Sequence, residues 1–226
     1  MRTIRVTGKG QIKVAPDMTR ITLELSGLYP EYTEAVRQAS QDTEQVRDLL
    51  AGFGFDRSDL KTLYFNVYTE YETYNEKGAY KKRFIGYKYN HRTKVEFSSD
   101  NDRLGKILYA LVHGTVTPEI SLSYFVEDPE AVRNELVGRA AADAREKALA
   151  LTKAAGAELL RVQSIDCSRG QMHLEVNPTD RLFDFEGDID YLEEEDSLED
   201  SEQYDMNIEP DDIEVSDTVT IVWEIV

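Results

Sequence analysis

Three histidines, one cysteine, a crowd of tyrosines and a run of carboxylates are the residues of this chain whose side chains could carry chemistry. His91, His113, His173 and Cys167 are its soft ligands, and their spacing is neither that of a zinc site nor that of a redox pair. His91 falls on the apolar parity of the alternating run IGYKYNHRTKVEF, which makes it a hydrogen-bonded core histidine. His113 follows an apolar helical stripe, where a cation favours the C-terminal end of the dipole. Cys167 lies near a strand end with no cation at fixed spacing, so it reads as a small buried hydrophobe rather than a reactive thiol. Asp184, Glu186, Asp188 and Asp190 alternate as calcium ligands do, but the spacing is not that of the EF-hand loop; a solvated charge run with weak divalent binding is the reading. The chain has no Gly-rich phosphate loop, nucleophile elbow or His-x-x-x-His motif. No catalytic residue, cofactor or metal site is therefore assigned.

Tyr64, Tyr68, Tyr71, Tyr74, Tyr80, Tyr87 and Tyr89 gather in one expected hairpin. Strand propensity and cross-strand aromatic pairing account for such a cluster, and so does a contact surface, since tyrosine offers large rigid area at low entropy cost. Lys81, Lys82 and Arg83 near the tip favour the second explanation. The candidate interaction surface is Tyr71, Tyr74, Tyr80, Lys81, Lys82 and Arg83, a basic hairpin able to meet an acidic segment of another subunit.

These residues hang on elements that the periodicity outlines. Ile4 to Leu25 reads as a strand pair turning at Pro16-Asp17, with Gly8 and Gly10 marking a bulge or a close backbone approach. A helix with its stripe at Ala35, Val36, Ala39, Val46, Leu49, Leu50 and Phe53 follows, with Thr33 as its expected cap. Strands Leu60 to Tyr71 and Phe84 to Phe97 flank a tip at Asn75 to Gly78. Asp100 or Asn101 caps a second helix through Val112, and a strand carries Ile120, Leu122, Tyr124 and Val126. Asp128-Pro129 opens the longest helix, closed by Gly156, with Val132, Leu136, Ala140, Ala144 and Ala148 on one face at i+4 steps. Strand Leu159 to Cys167 and a last strand, Ile213 to Val226, complete the order β-β-α-β-β-α-β-α-β-β. The expected fold class is α+β, with mostly antiparallel sheets and an acidic insertion before the last strand.

The 226 residues are 41% hydrophobic, which suffices for one sizeable core or two small ones. No stretch reaches the roughly 18 apolar residues of a membrane span, and Met1 leads into a strand without an apolar signal segment. That pattern and the single cysteine give the expectation of a cytoplasmic location. The formal charge of -18 is local: residues 171–226 hold 20 acids against the one basic Arg181, while the first 170 residues carry 24 acids and 25 bases. Nucleic acid and anionic lipid are poor partners for such a chain. The acidic stretch 171–207 reads as a flexible insertion.

Four stretches, VTGKGQIKVAPD, FIGYKYNHRTKVEF, DPEAVRNELVGRAAADAREKALALTKAAGA and IEPDDIEVSDTVTIVWEI, resemble in their order and spacing the SIMPL-domain family, a family of unknown function. The resemblance implies two small, intertwined α/β sandwich subdomains over residues 1–170 and 208–226 and a tendency to self-associate. It supplies no catalytic motif. Bacterial members are commonly exported and linked to oxidative-stress defence and surface antigenicity. This chain departs in lacking an export signal and in carrying Asp217 where members usually have a small apolar residue. The resulting expectation is a non-enzymatic, homo-oligomeric scaffold or stress-associated binding module of unknown ligand. The alternative is a hydrolase or small-ligand enzyme working between the subdomains through Asp217, His91 or tyrosine hydroxyls.

Overall fold

The computed structural model describes residues 2–76, 78–167, 174–176 and 210–226. Its described elements are β1 (Arg2–Val14), β2 (Met18–Tyr29), α1 (Tyr32–Ala51), β3 (Lys61–Glu76), β4 (Ala79–Ser98), α2 (Asn101–Val112), β5 (Glu119–Phe125), α3 (Pro129–Ala155), β6 (Leu159–Cys167), β7 (Glu175–Val176) and β8 (Ile213–Ile225). This is the α+β class, with antiparallel sheets. The chain divides into two compact units, one built from Met1–Asp17, Phe125–Val176 and Pro210–Val226, the other containing Met18–Tyr124.

In the first unit β8 lies between β1 and β6, and α3 packs on the sheet. The helix starts where the sequence places it: the Asp128 carboxylate accepts the Ala131 amide at 2.9 Å, Pro129 occupies the first turn, and Gly156 closes the helix in the left-handed conformation at φ 66°. Its buried face is Val132, Leu136, Ala140, Ala144, Ala148 and Thr152, the expected stripe extended by one turn. Gly8 and Gly10 are where helix and sheet touch. A Cβ on Gly8 would lie 2.0 Å from the Ala140 carbonyl oxygen, and one on Gly10 2.3 Å from that of Leu136. The close approach read from the sequence is thus the reason for both glycines; β1 runs unbulged through them against β8.

The expected hairpin does not form. β1 pairs with β8 and β2 with β4, so Pro16-Asp17 is the point at which the chain leaves one sheet for the other. Asp17 still works as a turn residue, donating its N–H to the Phe125 carbonyl at 3.2 Å and accepting the Glu127 amide on its carboxylate at 2.8 Å. Cys167 is exposed rather than buried, because β6 ends the sheet and keeps little of its surface covered. Of the acidic stretch 171–207 the structure describes only 174–176, where Leu174 and Val176 pack on Ile12, Val132 and Leu136; Asp184, Glu186, Asp188, Asp190 and the rest lie outside the described residues.

In the second unit the strands run in the order β3-β4-β2-β5. Ile21, Leu23 and Leu25 of β2 and Tyr89, Val95 and Phe97 of β4 meet Ala39, Val46 and Leu50 of α1 and Leu104, Ile107 and Leu111 of α2 in one core. The Asp100 carboxylate caps α2 through the Arg103 amide at 3.0 Å, whereas α1 begins after Glu31 with no side-chain cap, two residues ahead of Thr33.

Candidate functional site

The tyrosine-rich segment forms a long hairpin. β3 and β4 pair from Lys61↔Lys94 to Glu76↔Ala79, with irregularities at Thr62/Tyr64 and Glu70/Tyr71. Its tip is set by Gly78 at φ 83°, whose amide is accepted by the Asn75 side-chain oxygen at 3.0 Å. β3 is the end strand of its sheet, and little of it is covered. Strand ends of this kind leave one row of backbone N–H and C=O groups without a strand partner.

The six candidate surface residues all lie on this hairpin. Tyr71 stands opposite Phe84, Tyr74 opposite Lys81, Thr73 opposite Lys82 and Glu72 opposite Arg83, while Tyr80 is 79% exposed. Register alters the electrostatic picture drawn from the sequence: Lys81 pairs with Glu76 and Arg83 with Glu72, and the Arg83 guanidinium lies 5.9 Å from the Tyr74 ring centre. Cross-strand acids thus answer two of the three cations, and the hairpin is an aromatic surface more than a basic one. On one side the rings run in series, Tyr71 to Phe84 at 5.8 Å, Phe84 to Tyr87 at 5.3 Å, and Tyr87 to Tyr32 of α1 at 5.6 Å. Tyr89 is the exception among the hairpin tyrosines, being buried in the core.

His91 sits below this surface and is 7% exposed. The Thr43 hydroxyl donates to the Ala39 carbonyl at 2.7 Å, so its oxygen must accept from His91 Nδ1–H at 2.8 Å. That leaves Nε2 to accept the Thr62 hydroxyl at 2.9 Å. The ring is a neutral clip joining β4 to α1 and β3, backed edge-on by Phe65 at 5.2 Å. Both nitrogens are engaged, which is the arrangement of a structural histidine and not of a free base. Asp217 lies in the first unit, on β8, and accepts the Thr218 amide at 2.7 Å. His113 stacks on Tyr109 at the end of α2.

Burial, followed by the nearby Arg47, lowers the His91 pKa below its ordinary 6.5. The unfolded chain then binds more protons here than the folded one between that lowered value and 6.5. Stability from this group is complete above pH 6.5 and falls as pH drops below it, by at most about 1.4 kcal/mol per pH unit. Glu24, which Arg92 and Asn90 hold below the usual carboxylate range, titrates at more acid pH. Urea unfolding between about pH 5 and 8 should show this slope in the native chain and not in His91→Gln. An equal slope in both would refute the assignment.

Sequence reasoning passed over Asp42. It lies on the inward face of α1, 8% exposed, where its carboxylate accepts the Tyr89 hydroxyl and, at 2.8 Å, the Gln38 amide. The available signal was its spacing: Ala35, Ala39, Asp42 and Val46 follow the i, i+4, i+7, i+11 positions of a buried stripe, so an acid interrupts the apolar face.

Comparison with known proteins gives the chain its relatives. It is 31% identical over 175 residues to a 26 kDa periplasmic immunogenic protein of Brucella melitensis, an overlap of 76% of this chain and 70% of that one. The protein of the same name from Brucella abortus is 30% identical over the same shares. Both names are periplasmic, which overturns the expectation of a cytoplasmic location. That expectation leaned on a lone cysteine, which has no intramolecular partner in either compartment, and on the first residues of the sequence, which do not locate a protein. Among the described residues no helix is long and apolar enough to cross a membrane. The model of the SIMPL family, described as "Protein of unknown function (DUF541)", matches residues 4–223, and on that span the chain belongs to the SIMPL family.

Proposed function

We propose that this chain is a non-enzymatic, periplasmic binding module that associates with further copies of itself through the outer edge of β3. The carrying observation is that edge: a 16-residue end strand, exposed on both faces and lined with tyrosine and phenylalanine. Soluble proteins ordinarily blunt such edges with prolines, bulges or short length, and of these β3 has only its irregularities at Thr62/Tyr64 and Glu70/Tyr71. Here the charged residues at the far end answer one another across the hairpin, and Leu63, Tyr64, Phe65 and Tyr68 remain exposed. Adding a strand from a second copy supplies the backbone partners, and the rings give the contact its area. The engaged nitrogens of His91 favour binding over hydrolysis.

Light scattering tests the reading. At about 50 µM the native chain should exceed the monomer mass, and Tyr64→Lys with Tyr68→Lys should raise the concentration at half-assembly by at least about tenfold, leaving far-UV circular dichroism unchanged. A strict monomer in the native chain removes the claim of self-association. Assembly that is indifferent to the paired substitution removes the β3 edge as its seat.

A further inference from the structure

Asp42 is a carboxylate taken out of water without a cation to answer it. Its two described partners, Tyr89 and Gln38, are neutral donors, and together they occupy two of the roughly four acceptor positions a carboxylate offers. Among the described residues it forms no ion pair. Burial, then the bond to Asp42 itself, pushes the Tyr89 hydroxyl far above its ordinary range, so that group remains a donor at any physiological pH.

The carboxylate is nevertheless reachable. A cleft of about 260 Å³ opens on Asp42 and Tyr89, and Tyr29, Ser26, Thr115 and Thr117 line it as well. The Tyr29 and Tyr89 rings stack with centres 6.3 Å apart and planes 15° from parallel. Gly27 makes this arrangement possible: a Cβ there would come within 2.7 Å of a ring carbon of each tyrosine. The second strand therefore gives up a side chain at the one position where two phenol rings stand beside a buried acid.

A single negative charge and a few hydroxyls around a small volume are what a small organic ammonium ion requires. Its charge meets the carboxylate and its N–H groups meet hydroxyl oxygens. The carboxylate repels an anion. A hard divalent cation asks for six or more oxygens, and no group of three metal-ligating side chains occurs among the described residues. We propose that this cleft binds a small protonated amine, with Asp42 as its counter-ion and Ser26, Thr115 and Thr117 lining the space beside it. The site lies wholly within one unit and does not depend on self-association.

The test titrates the full native chain with butylammonium or phenethylammonium chloride, followed by amide NMR, with butanol and butanoate at equal ionic strength as controls. Both ammonium ions should saturate with Kd at or below about 1 mM, moving the amides of Gly27, Asp42 and Tyr89; butanol should bind at least about tenfold more weakly and butanoate not at all. Asp42→Asn keeps the shape and an acceptor for the Tyr89 hydroxyl, and it should weaken ammonium binding at least about tenfold. No saturation by about 20 mM, equal binding of butanol, or undiminished binding by a folded Asp42→Asn would each overturn the proposal. Should that variant not fold, the comparison of ammonium with butanol on the native chain decides alone. Because mass in solution is read separately, loss of the amine site and loss of β3-mediated assembly are distinguishable results.

Discussion

Gly8→Ala should lower the stability of the protein by about 3 kcal/mol or more, a fall of roughly 6 to 12 °C in Tm. The added methyl would stand 2.0 Å from the Ala140 carbonyl oxygen, 2.4 Å from the Ala144 nitrogen and 2.8 Å from the Ala144 Cβ. Two of these three are backbone atoms of α3, so no rotamer change can clear the space; helix and strand must separate. Separation pulls the Ala140, Ala144 and Ala148 face off Val6, Val219 and Ile221, and a close-packed contact loses its dispersion energy steeply with distance. Gly138→Ala is the matching control. Gly138 is in the same helix but exposed, with nothing within 4 Å of a Cβ, and there the substitution should stabilise by about 0.5 to 1 kcal/mol. Chemical unfolding of the two variants checks the pair. A cost at Gly8 no larger than about 1 kcal/mol would mean that the helix is not held at the strand backbone.

Gly8 also marks where sequence reading reached far and where it stopped. A glycine inside an alternating strand announces a close approach, and the alanines at i+4 steps in α3 announce its partner, because only a helix with a small-residue face can come so near. The limits of α3 and β6 were readable for a similar local reason: aspartate and proline at one end and glycine at the other satisfy or remove the orphaned groups of a helix terminus. Pairing of strands is a different matter. β1 and β2 have the same alternation that any two neighbours would have, and nothing in Pro16-Asp17 distinguishes a hairpin turn from a crossing between sheets. The partner of β1 lies at the other end of the chain in β8, and local pattern carries no information about it.

The candidate site divides along the same line. Exposure of Tyr71, Tyr74 and Tyr80 and the turn at Asn75 to Gly78 were legible, since a hairpin is a local structure. The charge on its tip was misread because Glu72 and Glu76 reach Arg83 and Lys81 only once register is known. Asp42 and Tyr89 are 47 positions apart, and each alone looks ordinary: an acid on a helix, a tyrosine on a strand. Their meeting depends on how α1 lies across β4, and that is settled by the whole core of the unit.

Trp223→Ala is expected to cost about 3 to 5 kcal/mol, the range for emptying a buried aromatic site. Trp223 is 4% exposed in the central strand of the three-stranded sheet, flanked by Ile4 on β1 and Val162 on β6. The register along α3 explains why a large ring belongs there. Gly10 meets the helix at Leu136 and Gly8 meets it at Ala140 and Ala144, so helix numbers rise as β1 numbers fall, and the strand positions beside Ile4 come under the later turns. Where the glycines sit, helix and sheet are in contact through their backbones; farther along, the indole packs in one core with Ala148. No small neighbour can move into that volume when the ring is removed, which puts the cost at the upper part of the range. Val222→Ala, one position along and facing the other side of the sheet, should stay within about 1 kcal/mol. Because Trp223 is the only tryptophan in the chain, its own fluorescence reports this core in the native protein, while circular dichroism follows both variants through urea. Hydrogen exchange localises the effect: the Ala140 and Ala144 amides should lose protection in Trp223→Ala and keep it in Val222→Ala. Equal costs for the two substitutions, or protection unchanged in α3, would show that the indole is not what joins this end of the helix to the sheet.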